Sequence, residues 1–175
     1  MNVRKVVERL LDSIDTDYLQ GLGSIVLSSQ AQLARKQRRK KFLSRGQKLP
    51  VTRILGFYQQ SWKGQPAFIE LYVDKILVSV PGFLLHVPIV GFMTIGKVLF
   101  HELGHHIHKT TRPEFKERED VADKWSRELL KIAVLKRYRY AMPFLRPAVK
   151  VLAPPVDWFT SYLNRKYKQR ESRRS

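Results

Sequence analysis

Residues 97–109, KVLFHELGHHIHK, decide the fold of this chain. Apolar side chains recur at helical spacing within this stretch, at Val98, Leu99, Leu103 and Ile107. Because no proline interrupts the pattern, it predicts one helix. His101 and His105 are four residues apart, so their imidazoles project from one face of that helix, about 6 Å apart along its axis. One tetrahedral zinc ion can bridge two imidazoles at this separation.

Glu102 directly follows the first histidine, beside the position that such a zinc ion would occupy. A carboxylate placed there can take a proton from a water molecule on the zinc, which makes Glu102 the candidate general base. The other interpretation of the same residues is a polar helix face whose histidines are satisfied within the fold. A third ligand elsewhere in the chain would favour the zinc site.

The composition limits the class of protein and the kind of zinc site. The chain has 175 residues, 43% of them hydrophobic, which suits one domain with a substantial core. It contains no cysteine, so a zinc ribbon and a disulfide-linked partner are excluded, and any zinc must be held by histidines and carboxylates. The formal net charge of +18 favours an anionic partner but indicates no reaction.

Helices and strands are both expected, which indicates an α+β fold. Residues 1–11 have the spacing of an amphipathic helix, and residues 21–27 end in a β-branched run that predicts a strand. Residues 53–59 and 67–73 alternate with period two, and Gly and Pro in their connection predict an antiparallel hairpin. The second of these strands should bury one face and expose the other, in a small, mainly antiparallel sheet packed on the zinc helix.

Residues 76–96, ILVSVPGFLLHVPIVGFMTIG, are long and apolar enough to allow three interpretations. They could cross a membrane, form an apolar lid or interfacial segment, or form a buried strand end, loop and helix start. Pro81, Pro88 and three glycines favour the last interpretation, as does the lack of a positive flank before the zinc helix. His86 is expected to be incidental rather than a ligand.

A second, acidic helix is predicted to follow the zinc helix. Pro113 suits its first turn, and an apolar stripe runs through residues 114–139. The stripe consists of Phe115, Ala122, Trp125, Leu129 and Ile132. On a neighbouring face, Glu119 and Asp123 are four residues apart, with small residues at positions 122 and 126. Small residues would let this helix approach the zinc helix closely enough for Glu119 to reach the metal.

The motif HELGH at residues 101–105, followed by EDVAD at residues 119–123, resembles the gluzincin pattern of zinc metallopeptidases. The small ImmA/IrrE-like peptidases are similar in the order of strand, HExxH helix and acidic helix, over residues 69–130. The resemblance implies a zincin-like fold and a third zinc ligand at Glu119. It also implies that Asp123 accepts a hydrogen bond from a ligand imidazole and fixes its tautomer.

Other side chains near the motif are weaker candidates for the third ligand. His108 is seven residues from His101, about 10.5 Å along the helix axis, which is too far for both to bond one ion. It is expected at the surface or beside a ligand. His106 points away from the metal face, and Glu117 and Asp120 remain the fallback ligands.

These residues together predict a zinc metalloendopeptidase with one zinc ion per chain. Glu102 would take a proton from the zinc-activated water and pass it to the leaving amine of a protein or peptide substrate. The strand at 67–73 is the candidate edge for pairing with an extended substrate. Four tyrosines are open as the oxyanion donor: Tyr58, Tyr72, Tyr138 and Tyr140. The alternative function is a non-catalytic binding module in which zinc joins the two helices and the basic surface contacts nucleic acid or an anionic membrane.

The predicted zincin-like domain spans residues 1–140, with the basic run from Arg35 to Lys48 as a surface insertion. Residues 141–175 form a basic extension with four prolines that is expected to be partly disordered. The insertion and the run from Arg165 to Arg174 fit contact with nucleic acid, with an anionic membrane or with solvent alone. No signal peptide is recognised, so a cytoplasmic location is expected, with membrane association through 76–96 or the extension as the alternative.

Overall fold

A computed structural model describes residues 1–33, 41–44, 47–50, 54–111 and 119–140, and between residues 41 and 50 it describes the backbone only. The chain divides into two compact units, Met1–Arg137 and Tyr138–Ser175. The helices and strands given below belong to the first unit, apart from the final residue of the last helix. The predicted extension at residues 141–175, with its basic run, lies outside the described residues.

The described part of the chain contains four α-helices and five strands. The helices are α1 (Val3–Leu11), α2 (Val73–Val78), α3 (Pro88–Thr111) and α4 (Glu119–Tyr138). The strands are β1 (Leu22–Ser28), β2 (Lys41–Ser44), β3 (Gln47–Pro50), β4 (Gly56–Gln59) and β5 (Ala67–Tyr72). This mixture of elements is compatible with the predicted α+β class.

The main sheet has the order β1-β5-β4. β4 pairs antiparallel with β5, whereas β1 pairs parallel with β5, so the sheet is mixed rather than mainly antiparallel. A parallel pair needs a crossover between its strands, and a period-two pattern does not reveal which way a strand runs. β2 and β3 form a separate antiparallel pair that overlaps the end of the basic insertion.

The hairpin between β4 and β5 is confirmed, and two residues with positive φ form its turn. Lys63 has φ 47° and Gly64 has φ 81°, the conformation of a two-residue turn that matches the twist of the flanking strands. Trp62 and Gln65 close the turn with mutual backbone hydrogen bonds of 2.9 and 3.1 Å.

The face of β5 that was expected to be exposed is largely covered. Ile69 and Leu71 are fully buried as predicted, but Tyr72 is buried as well, where it packs with Ile54 and Phe57. Burial, together with the nearby charge of Glu70, raises the pKa of Tyr72 to about 12. Tyr72 is therefore a core residue.

The central element is α3, which begins at Pro88, well before the predicted zinc helix. Residues 76–96 form the end of α2, a 3-10 turn (Gly82–His86) and the first turns of α3. The strand end expected there is absent, because β5 already ends at Tyr72. No helix in the described part of the chain combines the length and apolar character that crossing a bilayer requires.

Helix α3 is buried on most of its circumference, because it contacts α1, α2 and the main sheet at β4 and β5. Ile95, Leu99, Phe100 and Leu103 are almost inaccessible. This packing fixes α3 in place, so side chains on its second half are held by the core rather than by a surface loop.

Candidate metal centre

Helices α3 and α4 approach each other closely at Gly104. A Cβ atom at Gly104 would lie 2.9 Å from both Cα and O of Ala122, and 3.0 Å from Cβ of Trp125. Nearby, the Ser126 hydroxyl donates a 2.8 Å hydrogen bond to the carbonyl of Lys97. The predicted close contact through small residues is therefore confirmed.

The buried face of α4 is narrower than the predicted stripe, and the side chains on it are smaller. Its buried residues are Ala122, Ser126, Leu129 and Ala133. Ile132, expected in the stripe, is 44% exposed, and Phe115 lies outside the described residues. Trp125 is half-buried and packs edge-on against Tyr18, with 5.4 Å between ring centroids. Close contact at Gly104 selects small residues for the interface, which a search for large apolar side chains does not find.

Both ring nitrogens of His101 face carboxylates of α4. Nε2 lies 3.3 Å from Oε2 of Glu119, and Nδ1 lies 2.9 Å from Oδ1 of Asp123. An ionised carboxylate only accepts hydrogen bonds, so the Asp123 contact places the proton of a neutral imidazole on Nδ1. The Nε2 lone pair is then directed toward Glu119.

His105 completes a group of three donors. Its Nε2 lies 3.9 Å from Oε2 of Glu119, and its ring meets that of His101 edge-on, with centroids 4.9 Å apart. One donor atom from each of His101, His105 and Glu119 lies within 4.8 Å of the other two. Tetrahedral ligands with bonds near 2.0–2.1 Å are about 3.3 Å apart. These three residues can therefore hold a metal ion after small side-chain movements.

The pKa of His101 is lower than that of a free imidazole. Burial is the main cause, and the neighbouring His105 acts in the same direction, while Asp123 and Glu119 oppose the shift without cancelling it. His101 is therefore neutral at pH 7, which is the protonation state that binds metals.

Glu102 is 8% exposed and lies on the side of α3 that faces β4. A Cβ atom at Gly56 in β4 would lie 3.3 Å from Cγ of Glu102 and 3.0 Å from the carbonyl oxygen of Glu70. The missing side chain at Gly56 thus lets β4 pass close to the predicted base.

The prediction that residues 67–73 form an edge strand for substrate is wrong. β5 is the central strand of the main sheet, with β1 and β4 on its two sides. Both sides of its backbone therefore carry ladder hydrogen bonds. Of the two outer strands, β4 lies beside Glu102. The period-two pattern of one strand predicts which of its residues are buried, but it does not show the order of strands in a sheet.

His106 has a structural function that the sequence did not indicate. It is 1% exposed, and its Nε2 donates a 2.9 Å hydrogen bond to the carbonyl of Gln20. Burial lowers the pKa of His106, although the bond to Gln20 acts in the opposite direction. The neutral ring therefore accepts at Nδ1 from the hydroxyl of Tyr58, 3.3 Å away. Gly21, with φ 81°, turns the chain next to this contact.

The remaining predicted residues have separate outcomes. Tyr58, a candidate oxyanion donor, is engaged with His106. His108 is 7% exposed, so the expected surface position is wrong. Asp120 is exposed in the first turn of α4 and is not one of the three donors. His86 is exposed and is not one of the three donors. Tyr138 is half-buried and Tyr140 is exposed, and their role as oxyanion donors stays a prediction. The fallback ligand Glu117 lies outside the described residues.

Comparisons of the chain with protein-family models, with curated proteins and with solved structures find no match. The case for a function therefore rests on the residues of this site.

Proposed function

We propose that this protein is a zinc-dependent metalloendopeptidase with a zincin-like domain. One observation carries the proposal: His101, His105 and Glu119 converge while Asp123 occupies the second nitrogen of His101. A histidine ligand whose other nitrogen donates to a carboxylate is typical of protein zinc sites. The alternative interpretation, a polar helix face exposed to solvent, does not explain why both nitrogens of one imidazole face acids on another helix.

Zinc is the metal that this donor set fits best. The chain has no cysteine, and two imidazoles with one carboxylate form a three-residue set that leaves a fourth position open. Hard cations such as Mg²⁺ and Ca²⁺ prefer oxygen ligands throughout. Two nitrogens and one oxygen therefore favour zinc, one ion per chain.

Each residue then has a distinct task. His101, His105 and Glu119 hold the metal, and Asp123 keeps the proton of His101 on Nδ1. When bound, zinc lowers the pKa of a water molecule and polarises a peptide carbonyl. Glu102 accepts the proton of the attacking water and delivers it to the leaving amine. Glu102 is buried beside Gly56 of β4.

The test is zinc content measured together with cleavage of an unstructured protein. Wild type should bind one zinc ion per chain, and Glu119→Ala should lose it, because one of the three donors is removed. Glu102→Gln should retain zinc while cleavage falls by about 100- to 10,000-fold, since proton transfer contributes by that factor. Zinc-free wild type would exclude the proposal.

Two further variants of α4 make the test specific. Glu128→Ala removes an exposed carboxylate from the same helix and should change neither zinc content nor cleavage. Asp120→Ala removes the acid next to Glu119 and tests the fallback ligand. If Asp120→Ala loses zinc and Glu119→Ala keeps it, the ligand assignment is wrong although the zinc site stands.

A second candidate is a zinc-stapled binding module, and one observation favours it. The donors come from two helices, α3 and α4, so a metal would hold the helices together whether or not it is catalytic. This function predicts that Glu102→Gln is indistinguishable from wild type in every property except local charge. Wild type that binds zinc, cleaves no unstructured protein and binds nucleic acid would establish this second function.

A further inference from the structure

The segment that precedes the metal-binding half of α3 exposes several large apolar side chains. Val78 is 82% exposed, Phe83 is 73% exposed, and Val87 and Met93 are each 43% exposed. Soluble surfaces usually carry such side chains singly, and a concentration of them marks an interaction site. Residues 78–93 are called the apolar cap below.

The three short elements that carry the apolar cap contact one another. The end of α2, the 3-10 turn (Gly82–His86) and the first turns of α3 follow without an extended linker. Backbone hydrogen bonds of 2.9 to 3.0 Å connect these elements. The N–H groups of Leu84, Val87 and Val90 donate to the carbonyls of Pro81, Leu84 and Val87, respectively.

The two hydroxyl groups within and beside the apolar cap are bonded locally. The Ser79 hydroxyl donates to the carbonyl of Ile76 at 2.6 Å, and the Thr94 hydroxyl donates to the carbonyl of Val90 at 2.8 Å. The backbone follows helical and 3-10 turns whose hydrogen bonds stay within the segment. A surface of this kind can enter an apolar medium without leaving many donors and acceptors unsatisfied.

Charge indicates which partner fits the apolar cap. Residues 76–96 contain no Asp, Glu, Lys or Arg, and the first charged residues on either side are Lys75 and Lys97, both exposed. The whole chain carries a formal charge of +18. An uncharged apolar segment on a strongly basic protein is complementary to a bilayer with anionic headgroups. A protein partner would need an apolar face and a large negative charge at once.

We propose that the apolar cap docks on an anionic lipid bilayer, with the side chains of Val78, Phe83 and Val87 inserted at the level of the headgroups. The protein would lie on the membrane rather than cross it. His101 is about 20 Å along α3 from Pro88, so docking through the apolar cap leaves the metal centre accessible. Neither the metal nor Glu102 takes part in docking, and this inference is independent of the proposed enzymatic function.

The first test is flotation of the full chain with vesicles of phosphatidylcholine alone or with about 30% phosphatidylglycerol. Wild type should float with the anionic vesicles. The double variant Val78→Asp and Phe83→Asp should partition at least about tenfold less, since burial of one phenylalanine is worth about that factor. Flotation of this variant equal to wild type would overturn the proposal.

The matched control is the double variant Ile132→Asp and Leu135→Asp on α4. Both residues are 44% exposed, and the variant adds the same two negative charges at another surface. It should float like wild type, apart from a small loss common to any change of net charge. Equal losses in the two double variants would show that net charge alone drives binding, which also overturns the proposal.

A fluorescence measurement keeps the test valid if an aspartate variant folds poorly. The chain has no cysteine, so Phe83→Cys and Ile132→Cys each give one site for an environment-sensitive label. Anionic vesicles should shift only the label at position 83 to the blue and expose it to quenchers carried on lipid. A blue-shifted label at position 83 before lipid is added would mean that another part of the chain or a second copy covers the apolar cap. That result, or no shift with vesicles, would contradict the proposal.

Discussion

At the scale of single residues, His101 is the most constrained side chain of the candidate metal centre. Its two nitrogens are 3.3 Å from a Glu119 oxygen and 2.9 Å from an Asp123 oxygen. Glu119 also lies 3.9 Å from Nε2 of His105, whereas Asp123 contacts the other nitrogen of His101. The two acids therefore contribute differently to metal binding.

Asp123→Ala should weaken zinc binding about 10- to 100-fold without abolishing it, because the variant removes the group that orients His101 and keeps all three donors. A competition titration against a chelator of known affinity measures the change. Saturating zinc should still give one ion per chain. The exposed Glu128→Ala serves as control, and complete loss of zinc from Asp123→Ala would mean that Asp123 itself is a ligand.

His106 shows what a motif cannot predict about a neighbouring residue. The sequence indicated only that His106 points away from the metal face. The structure places it in the core, between the carbonyl of Gln20 and the hydroxyl of Tyr58. Gln20 is 86 residues away in the chain, and no local pattern links the two positions.

At the scale of elements, the crossing of α3 and α4 determines whether a carboxylate can reach the histidines. A Cβ atom at Gly104 would lie 2.9 Å from backbone atoms of Ala122, where it would collide. Gly96, eight residues earlier on α3, is close only to flexible side-chain ends of Leu10 and Leu130. Both glycines lie within α3, and they differ in the atoms that an added side chain would meet.

Gly104→Ala should lower the free energy of unfolding by about 1–3 kcal/mol, because overpacking against backbone cannot be relieved by rotating a side chain. It should also weaken zinc binding, since α4 must move away from α3. Urea unfolding of the metal-free protein and a zinc titration measure both effects.

Gly96→Ala is the matched control, because Leu10 and Leu130 can rotate away and alanine favours the helix by up to about 1 kcal/mol. Its zinc affinity should equal that of wild type. Equal zinc affinity in all three proteins would show that the contact at Gly104 does not position Glu119.

At the scale of the whole molecule, folding lowers the pKa of two imidazoles. Burial lowers the pKa of His101 and of His106. In the unfolded chain both imidazoles take up a proton near pH 6.5, whereas in the folded protein they resist protonation until the pH is lower. The unfolded state therefore binds more protons between pH 7 and 5, and stability falls as the pH falls through this range.

Urea unfolding of the metal-free protein at pH 7, 6 and 5 should show this decrease. His106→Gln should reduce the slope of stability against pH, because one of the two imidazoles with a lowered pKa is gone. His86→Gln removes an exposed histidine and should keep the wild-type slope. Stability that stays constant or rises from pH 7 to pH 5 would contradict the assignment of neutral, buried imidazoles.

The sequence by itself determined the features that depend on neighbours along the chain. The spacing of His101 and His105 places them on one face of any helix, and Lys63-Gly64 suits a tight hairpin turn wherever the strands pack. Tertiary structure alone decided that β5 is central, that His106 binds the carbonyl of Gln20, and that Ala122 meets Gly104 closely enough to bring Glu119 to the histidines. Helix and turn geometry are set by local backbone angles, whereas strand order and helix crossing depend on how side chains far apart in the chain fit together.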